Sequence, residues 1–352
     1  MRNYELRMRN EGQSQNLLTQ IGTAGGESAE KSIENRFTIC GMDRRRFLGV
    51  IGAGVAGLAV REVSFAQSKS GAREVAFTFD DPQVVDYPGH AAADLDARLR
   101  AALHDVGVKA TLFVCGMRVD NAAGKQLLQA WNDDGHVLGN HSYSHLYFHS
   151  EKVSLAQFQA DVQKGEDVVR SYPRFQKIFR YPFFKEGDTI EKRDGMRWWL
   201  AQRGYKMGRA TIDASDWAID GRMRKRLEAD AKADLTPYKD FYLDHIWARS
   251  KYYDELAQKV WGKPVRHTVL LHHRLLSSLF LKDLVAMYRQ HDWRILDAEY
   301  AYEDAIYKEQ PKVLPAGESL VWSVAREKGA SGLRYPGEDD TYEKQEMDRR
   351  GL

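Results

Sequence analysis

Two neighbouring carboxylates and a spaced pair of histidines are the residues in this sequence that could do chemistry together. Asp80 and Asp81 end the run EVAFTFDD at 74–81, whose alternating, β-branched and aromatic residues are typical of a strand. Because adjacent like charges repel, such a pair is expected where one carboxylate meets a cation and the other holds or takes a proton. The pattern therefore indicates a metal site.

The histidine pair supplies the other candidate ligands. His141 and His145 stand four residues apart in HSYSH, a spacing that on a helical turn puts both imidazoles on one face. A borderline cation such as Zn²⁺ accepts two imidazole nitrogens and one carboxylate and keeps a position open for water. The alternative is two polar histidines on a loop, and the acidic strand end upstream favours the metal site.

The elements that must position these residues follow an alternating order. From residue 73 onward, short apolar runs alternate with longer amphipathic stretches, which favours a mostly parallel α/β sheet with helices outside it, open or closed as a barrel. Predicted strands are 75–79, 110–114, 136–139, 178–181, 207–212, 268–271 and 294–296. Predicted helices are 91–104, 121–132, 154–171, 190–202, 222–232, 250–260 and 279–290.

Polar residues recur where the predicted strands end. In a parallel βα-barrel these ends share one rim, where such folds place catalytic groups. The residues concerned are Asp80 and Asp81 after the first strand, His141 after the third, Arg180 at the fourth, Asp213 and Asp216 after the fifth, and His272 at the sixth.

The front of the chain has a different character. Residues 1–41 are polar and aperiodic and are predicted to be a disordered or mis-annotated leader. Residues 42–66 have three arginines near their start, at 44–46, then a short apolar stretch and small residues, in the order of an export signal, and Arg45 and Arg46 before Phe47 and Leu48 resemble the twin-arginine type. The expected location is periplasmic or secreted. The apolar stretch is too short to span a bilayer comfortably. No stable membrane span is expected after the signal is cleaved.

A glycine fingerprint in the same stretch offers another interpretation. Gly52, Gly54 and Gly57 spell the motif of flavin- or nicotinamide-binding folds, but a second strand with an acidic end does not follow. The net charge of +2 over 352 residues gives no support for a nucleic acid or an anionic membrane as a partner.

Five motifs in this order resemble the polysaccharide deacetylase family, the NodB-homology group also called carbohydrate esterase family 4. They are TFDD at 78–81, HSYSH at 141–145, RYPF at 180–183, DASDW at 213–217 and LLH at 270–272. The resemblance implies a distorted (β/α) barrel of about seven parallel strands over residues 72–310, with the active site at the C-terminal strand ends. Residues 311–352 are then a peripheral C-terminal extension, predicted to end in disorder.

The resemblance also implies roles for single residues. Asp81, His141 and His145 would bind a divalent transition metal, with Zn²⁺ the expected ion; Asp80 would be the base and His272 the acid. Arg180 would orient Asp80, and Asp216 would orient His272 and raise its pKa. The backbone N–H of Phe183 would bind the oxyanion, and Trp217 and Leu270 would form apolar walls or serve the core.

The implied function is an exported, metal-dependent hydrolase that removes N-acetyl groups from an amino sugar of a polysaccharide or peptidoglycan. O-acetyl esterases of the xylan type and cyclic-amide hydrolases use the same fold, and a catalytically silent carbohydrate-binding protein is a further alternative. The sequence leaves the substrate, the metal and the oligomeric state open.

Departures from the family pattern and two additional stretches bear on this assignment. Pro82 stands where glycine is usual, Phe183 replaces a tyrosine, and His273 competes with His272, which strand alternation favours. Aromatic residues in 221–264 could stack on sugar rings or pack in the core. They are Tyr238, Phe241, Tyr242, Trp247, Tyr252 and Tyr253.

Overall fold

The computed structural model describes residues 71–335 and 339–352. The predicted leader at 1–41 and the predicted export segment at 42–66 lie outside the described residues and stay predictions. Within the described ranges, no helix has both the length and the apolar character needed to cross a lipid bilayer.

The secondary structure follows the predicted alternation. The strands are β1 (Arg73–Asp80), β2 (Thr111–Val114), β3 (Val137–Asn140), β4 (Phe175–Phe179), β5 (Lys185–Gly187), β6 (Lys206–Met207), β7 (Arg266–His272), β8 (Trp293–Leu296) and β9 (Ala316–Gly317). The helices are α1 (Ala92–Val106), α2 (Gly116–Val119), α3 (Ala122–Asp133), α4 (Leu155–Val169), α5 (Ile190–Gln202), α6 (Asp216–Ala229), α7 (Thr236–Trp261), α8 (Leu275–Gln290), α9 (Ala298–Ala301), α10 (Leu320–Glu327) and α11 (Thr341–Arg350). Two 3₁₀ turns, Pro182–Phe184 and Ala305–Lys308, complete the described elements.

Seven of these strands form one parallel sheet in the order β6-β4-β3-β2-β1-β7, with β8 also paired to β1. Residues 75–80 of β1 are all buried, as expected for a strand covered on both faces. The segment that starts with β6 closes the sheet, because β6 pairs with β4 while Ile212 bridges to Val269 of β7. The predicted distorted barrel of about seven parallel strands is confirmed.

Local signals at several helix ends match the sequence. Asn121 caps α3, Ser154 and Gln157 form a capping box at the start of α4, and Thr189 caps α5. Gly107 ends α1 with φ of 77°, a backbone conformation that favours glycine. The strands are therefore joined by well-defined helices, and their carboxyl ends meet at one rim.

Some predicted boundaries were wrong. The predicted strand at 207–212 is paired only at its two ends, because the chain there crosses from β4 to β7. The predicted helices at 222–232 and 250–260 begin much earlier, at Asp216 and Thr236. In the second case, aromatic residues before 250 continue the helix because their side chains are buried.

The aromatic residues of 221–264 lie on α7 and pack inward. Tyr238, Phe241, Tyr242 and Tyr253 are buried in the main hydrophobic cluster, and Trp247 and Tyr252 pack against it. They serve the core, and stacking on a sugar is not needed to explain them.

The C-terminal extension is ordered within the described residues, so the predicted disorder was wrong there. Leu320, Val321 and Val324 have helical spacing and are buried, which gives α10 an apolar face. In α11, Glu343 and Met347 are buried. The extension therefore contributes to the core.

Candidate active site

The end of β1 delivers two buried carboxylates to the rim. Asp80 is the last residue of β1, and both Asp80 and Asp81 are 2% exposed. Asp81 has φ of 57°, a left-handed conformation that costs a non-glycine residue free energy and is found at functional sites. Pro82 follows, and residues 82–86 form an irregular segment before the short turn at Tyr87 and His90.

The histidine pair lies on a loop, so the predicted helical turn was wrong. Residues 141–147 form no helix, and Ser142 and His145 have φ of 66° and 56°. The two imidazole rings nevertheless meet, with centroids 5.0 Å apart. The loop conformation therefore brings the two imidazoles together, as the four-residue spacing was expected to do on a helical turn.

Asp161 of α4, which sequence reasoning missed, holds this loop. Its carboxylate accepts hydrogen bonds from the backbone N–H of Tyr143 at 3.2 Å and of Ser144 at 3.0 Å. Gly165 of α4 lies so close to the loop that a Cβ there would be 2.6 Å from the carbonyl carbon of Ser142. The only sequence signals were an acid and a glycine in an amphipathic helix, which are too common to predict this contact.

The donor atoms of Asp81, His141 and His145 fit a metal ion. One ligand atom from each residue lies within 4.8 Å of the others. Nδ1 of His141 donates to the carbonyl of Arg180 at 2.8 Å, which leaves Nε2 as the lone-pair nitrogen facing the acidic pair. Among the described residues, Oδ1 of Asp81 accepts no hydrogen bond although it is buried. A buried carboxylate oxygen beside two imidazoles suits a divalent cation.

Charge around Asp81 is strongly positive. Nε of Arg118 lies 3.2 Å from Oδ1, and Nη2 of Arg274 lies 3.9 Å from Oδ2. Burial alone would raise the pKa of Asp81, but Arg118 and the two histidines outweigh that effect and hold the pKa well below its usual value. Asp81 is therefore a carboxylate at neutral pH. Both arginines were missed by sequence reasoning, because their distance from Asp81 depends on the tertiary fold.

Arg180 fixes the position of Asp80. Nη1 donates to Oδ1 of Asp80 at 2.6 Å, while Nη2 donates to the hydroxyls of Thr78 at 2.9 Å and Tyr302 at 3.0 Å. Nε donates to the carbonyl of Gly208 at 2.7 Å, and the residue is 1% exposed. The ion pair of Arg180 with Asp80 is therefore buried. Oδ2 of Asp80 remains 3.6 Å from Nε2 of His141, toward the candidate metal site.

His272 and His273 have different partners. The backbone N–H of His272 donates to Oδ2 of Asp216 at 2.8 Å, and Nδ1 lies 2.6 Å from Oδ1 of the same carboxylate. His273 instead binds Asp96, with Nε2 3.0 Å from Oδ1. The register pairs Asp80 with His272, so these two residues lie side by side at the rim. The geometry assigns the Asp216 partnership to His272, as alternation predicted.

The pair of His272 and Asp216 favours a charged ring. Burial opposes this and lowers the pKa of His272, but the charge and hydrogen bond of Asp216 outweigh it, and the pKa is raised. Arg274 opposes the charged ring, whereas Asp80 supports it. Because Nδ1 faces Asp216, Nε2 is the nitrogen from which a proton could reach a substrate.

Phe183 lines the site, whereas the two predicted apolar walls, Trp217 and Leu270, pack in the core. Phe183 has φ of 56° and packs edge-on against His145, with ring centroids 4.4 Å apart. Leu270 is buried with Phe184 and Ala210, so its side chain belongs to a core cluster. Trp217 is partly buried and packs against the main cluster. The observed packing favours the core role for both Leu270 and Trp217.

Comparisons with known proteins support the motif-based assignment. The family model described as polysaccharide deacetylase matches residues 67–199. A curated relative, the peptidoglycan-N-acetylglucosamine deacetylase of Bacillus cereus, is 25% identical over 145 residues, which cover 41% of this chain. The match spans 46% of that relative, or about half its length.

Solved structures of the same group were also found. A family 4 carbohydrate esterase from Streptomyces lividans, in complex with acetate, is 19% identical with a TM-score of 0.42, covering 65% of this chain and 95% of the other. A carbohydrate esterase from Streptococcus mutans is 20% identical with a TM-score of 0.45, covering 65% and 87%. The family model matches residues 67–199, which contain three of the five motifs, and this match confirms the predicted resemblance to the polysaccharide deacetylase family.

Proposed function

We propose that this protein is an exported, metal-dependent deacetylase that hydrolyses the N-acetyl groups of an amino sugar in a polysaccharide or peptidoglycan. The family match and the name of the curated relative support this class of substrate. One observation carries the proposal. A candidate metal-binding group lies beside a carboxylate fixed by Arg180, and that carboxylate is next to an imidazole fixed by Asp216.

Asp81, His141 and His145 are the residues that would hold the ion. When bound, a divalent transition metal, with Zn²⁺ the expected choice, would supply Lewis-acid chemistry at this point. The three donors accept several ions of this type. The buried Oδ1 of Asp81, which accepts no hydrogen bond, and Nε2 of His141, the ring nitrogen not bound to the carbonyl of Arg180, support this part of the proposal.

Proton transfer is assigned to the two flanking groups. Asp80 accepts a proton from the attacking water through Oδ2, while Arg180 keeps the carboxylate in place through Oδ1. His272 donates a proton from Nε2 to the departing amine nitrogen, and Asp216 stabilises the charged ring before that step. The backbone N–H of Phe183 is proposed to stabilise the oxyanion. Hydrolysis of an amide needs both a base for the attacking water and an acid for the departing amine.

The test is acetate release from N-acetylglucosamine oligomers and from peptidoglycan, combined with metal analysis of the same protein. We expect Asp80→Asn to lose turnover by about 10²- to 10⁴-fold, because a general base contributes that much. Its bound metal should remain, since the three donors are unchanged. Asp105→Asn is the matched control, because Asp105 is exposed and pairs only with surface groups.

The outcomes separate the alternatives. Equal turnover in Asp80→Asn and the unaltered protein would reject Asp80 as the base. Release of acetate that leaves a free hydroxyl, with no new amine, would identify an O-acetyl esterase. A folded, metal-loaded protein that releases no acetate from any of these glycans would favour a cyclic-amide substrate or a silent binding protein.

Export through the twin-arginine-type segment at 42–66 is the part of the proposal that rests on sequence alone. N-terminal sequencing of the exported protein tests it. A mature chain that begins well upstream of Ser64 would contradict cleavage at the end of that segment.

A further inference from the structure

The last helix of the chain buries a carboxylate. Glu343 of α11 is 0% exposed, forms a close ion pair with Arg249 and lies 3.3 Å from Nε2 of His245. Removing a carboxylate from water is costly unless its partners compensate, and breaking such a pair is strongly destabilising. The C-terminal helix is therefore anchored at one buried point.

His245 connects Glu343 to the loop at 213–216. Burial and the charge of Arg249 lower the pKa of His245 to about 3, so the ring is neutral at physiological pH. Its Nε2 lies 2.6 Å from the carbonyl of Ala214, and a carbonyl only accepts, so Nε2 carries the hydrogen. Glu343, His245 and Ala214 thus form one connected chain of polar contacts.

The loop needs such support. Ser215 has φ of 46°, and strained conformations of this kind persist only where the surroundings impose them. The N–H of Ser215 donates to Asp213 at 3.2 Å, and its hydroxyl donates to the carbonyl of Asp339, just before α11, at 3.4 Å. The next residue is Asp216, whose two oxygens bind the ring and the backbone of His272.

The end of the helix is tied down as well. Arg222 of α6 donates to the carbonyl of Leu352 at 2.7 Å and pairs with Asp348. Arg350 pairs with Asp244 of α7 at 3.0 Å. Residues 339–352 therefore contact two helices: α6, which follows the loop at 213–216, and α7, which carries His245 and Arg249.

We propose that residues 339–352 act as a clamp on the loop at 213–216, with Glu343 as the residue that positions Asp216 against His272. Glu343 acts through Arg249, His245 and Ala214 and touches no reacting atom. The inference rests on the proposed function only for the role of His272 as the acid. The position of the His272 ring is independent of that function.

The test uses the full chain with Glu343→Gln, which keeps the size of the side chain and removes its charge. The first measurement is the NMR signal of the Nδ1 proton of His272, which a 2.6 Å contact to a carboxylate shifts strongly downfield. We expect Glu343→Gln to move this signal upfield or to broaden it. The second measurement is turnover, where we expect kcat to fall about tenfold with KM nearly unchanged, because the acid is misplaced while binding is intact.

Glu346→Gln is the matched control, since Glu346 lies on the same helix but pairs with Arg349 and Arg350 near the surface. If Glu343→Gln does not fold, Arg222→Gln tests the same clamp from its other end and should shift the signal less. A destabilised Glu343→Gln protein with the unaltered His272 signal and kcat would overturn the proposal. If the protein has no deacetylase activity at all, the NMR signal still decides between the outcomes.

Discussion

Asp81, a proposed metal ligand, lies beside two arginines. The carboxylate is 2% exposed, with Arg118 near Oδ1 and Arg274 near Oδ2. A divalent ion at this site would share Asp81 with these guanidinium groups. The arginines therefore compensate the buried charge of Asp81 and at the same time weaken its attraction for a metal.

This competition predicts that Arg118→Gln binds Zn²⁺ more tightly. Removing the positive charge of Arg118, whose Nε lies 3.2 Å from Oδ1 of Asp81, should increase affinity about tenfold, the lower end of the Coulomb range for a partly solvated pair. Isothermal titration calorimetry with Zn²⁺ at a fixed pH measures the change. Arg170→Gln, an exposed arginine that pairs with Asp167, is the control and should leave the Kd unchanged. A weaker Kd in Arg118→Gln would mean that Arg118 supports the ligand geometry more than it competes.

Single residues at the strand ends could be predicted because their types and positions are visible in the sequence. Asp80, Asp81 and His272 end strands whose hydrophobic pattern is clear, and the register of β1 with β7 sets Asp80 beside His272. Asp161 and Arg274 could not be predicted, since nothing in their local sequence marks them. Their importance comes from tertiary contacts, of Asp161 with the loop that carries the histidines and of Arg274 with Asp81.

At the scale of elements, the most informative pair is β5 with β9. β5 follows the turn that carries Phe183, and β9 belongs to the C-terminal extension. The two strands pair antiparallel, and the N–H of Glu318 donates to the carbonyl of Phe184 at 3.2 Å. The extension therefore supports the backbone that lines one side of the candidate site.

Gly317 makes this pairing possible and provides a prediction. It has φ of 133°, and a Cβ there would lie 1.9 Å from the carbonyl oxygen of Phe184. We expect Gly317→Ala to lower the free energy of unfolding by about 2–4 kcal/mol, because the backbone must shift and the residue is strained. Urea denaturation measures this, and turnover should fall as well because the Phe183 segment moves.

Gly221→Ala is the control for that experiment. Gly221 lies within α6 with open space where the Cβ would be, so alanine should be neutral or stabilise the protein by up to about 1 kcal/mol. Equal stability of Gly317→Ala and the unaltered protein would show that β9 can separate from β5 without consequence.

Element boundaries were predictable where periodicity was strong and failed where tertiary contacts decide the conformation. The helix at Ile190–Gln202 was predicted at both ends. The helical turn for HSYSH was wrong because Asp161 and the positive φ of Ser142 and His145 impose a loop. The ordered extension was missed because its apolar residues are few and its long-range partners, such as Arg249 for Glu343, lie far away in sequence.

For the whole molecule, the barrel explains how distant segments converge. Arg180 lies inside the closed sheet, stacks on Phe113 at 4.0 Å and bonds to Thr78, Gly208 and Tyr302 from three other parts of the chain. The alternation of strands and helices was sufficient to predict this class of fold. The closure through the segment 206–212 was not predictable, since only two of its residues are in a regular strand.

Because the three candidate ligands converge only in the folded chain, a bound ion should stabilise the whole protein. Asp81 directly follows β1, and both histidines come from the loop after β3, so the unfolded chain offers no preformed site. An ion that binds only the folded state adds about 2.7 kcal/mol at a free concentration one hundred times its Kd. We therefore expect Zn²⁺ to raise the Tm and a chelator to reverse the increase, as measured by calorimetry. Asp81→Asn should lose most of this response and Asp105→Asn should keep it, whereas an equal response in both would place the ion elsewhere.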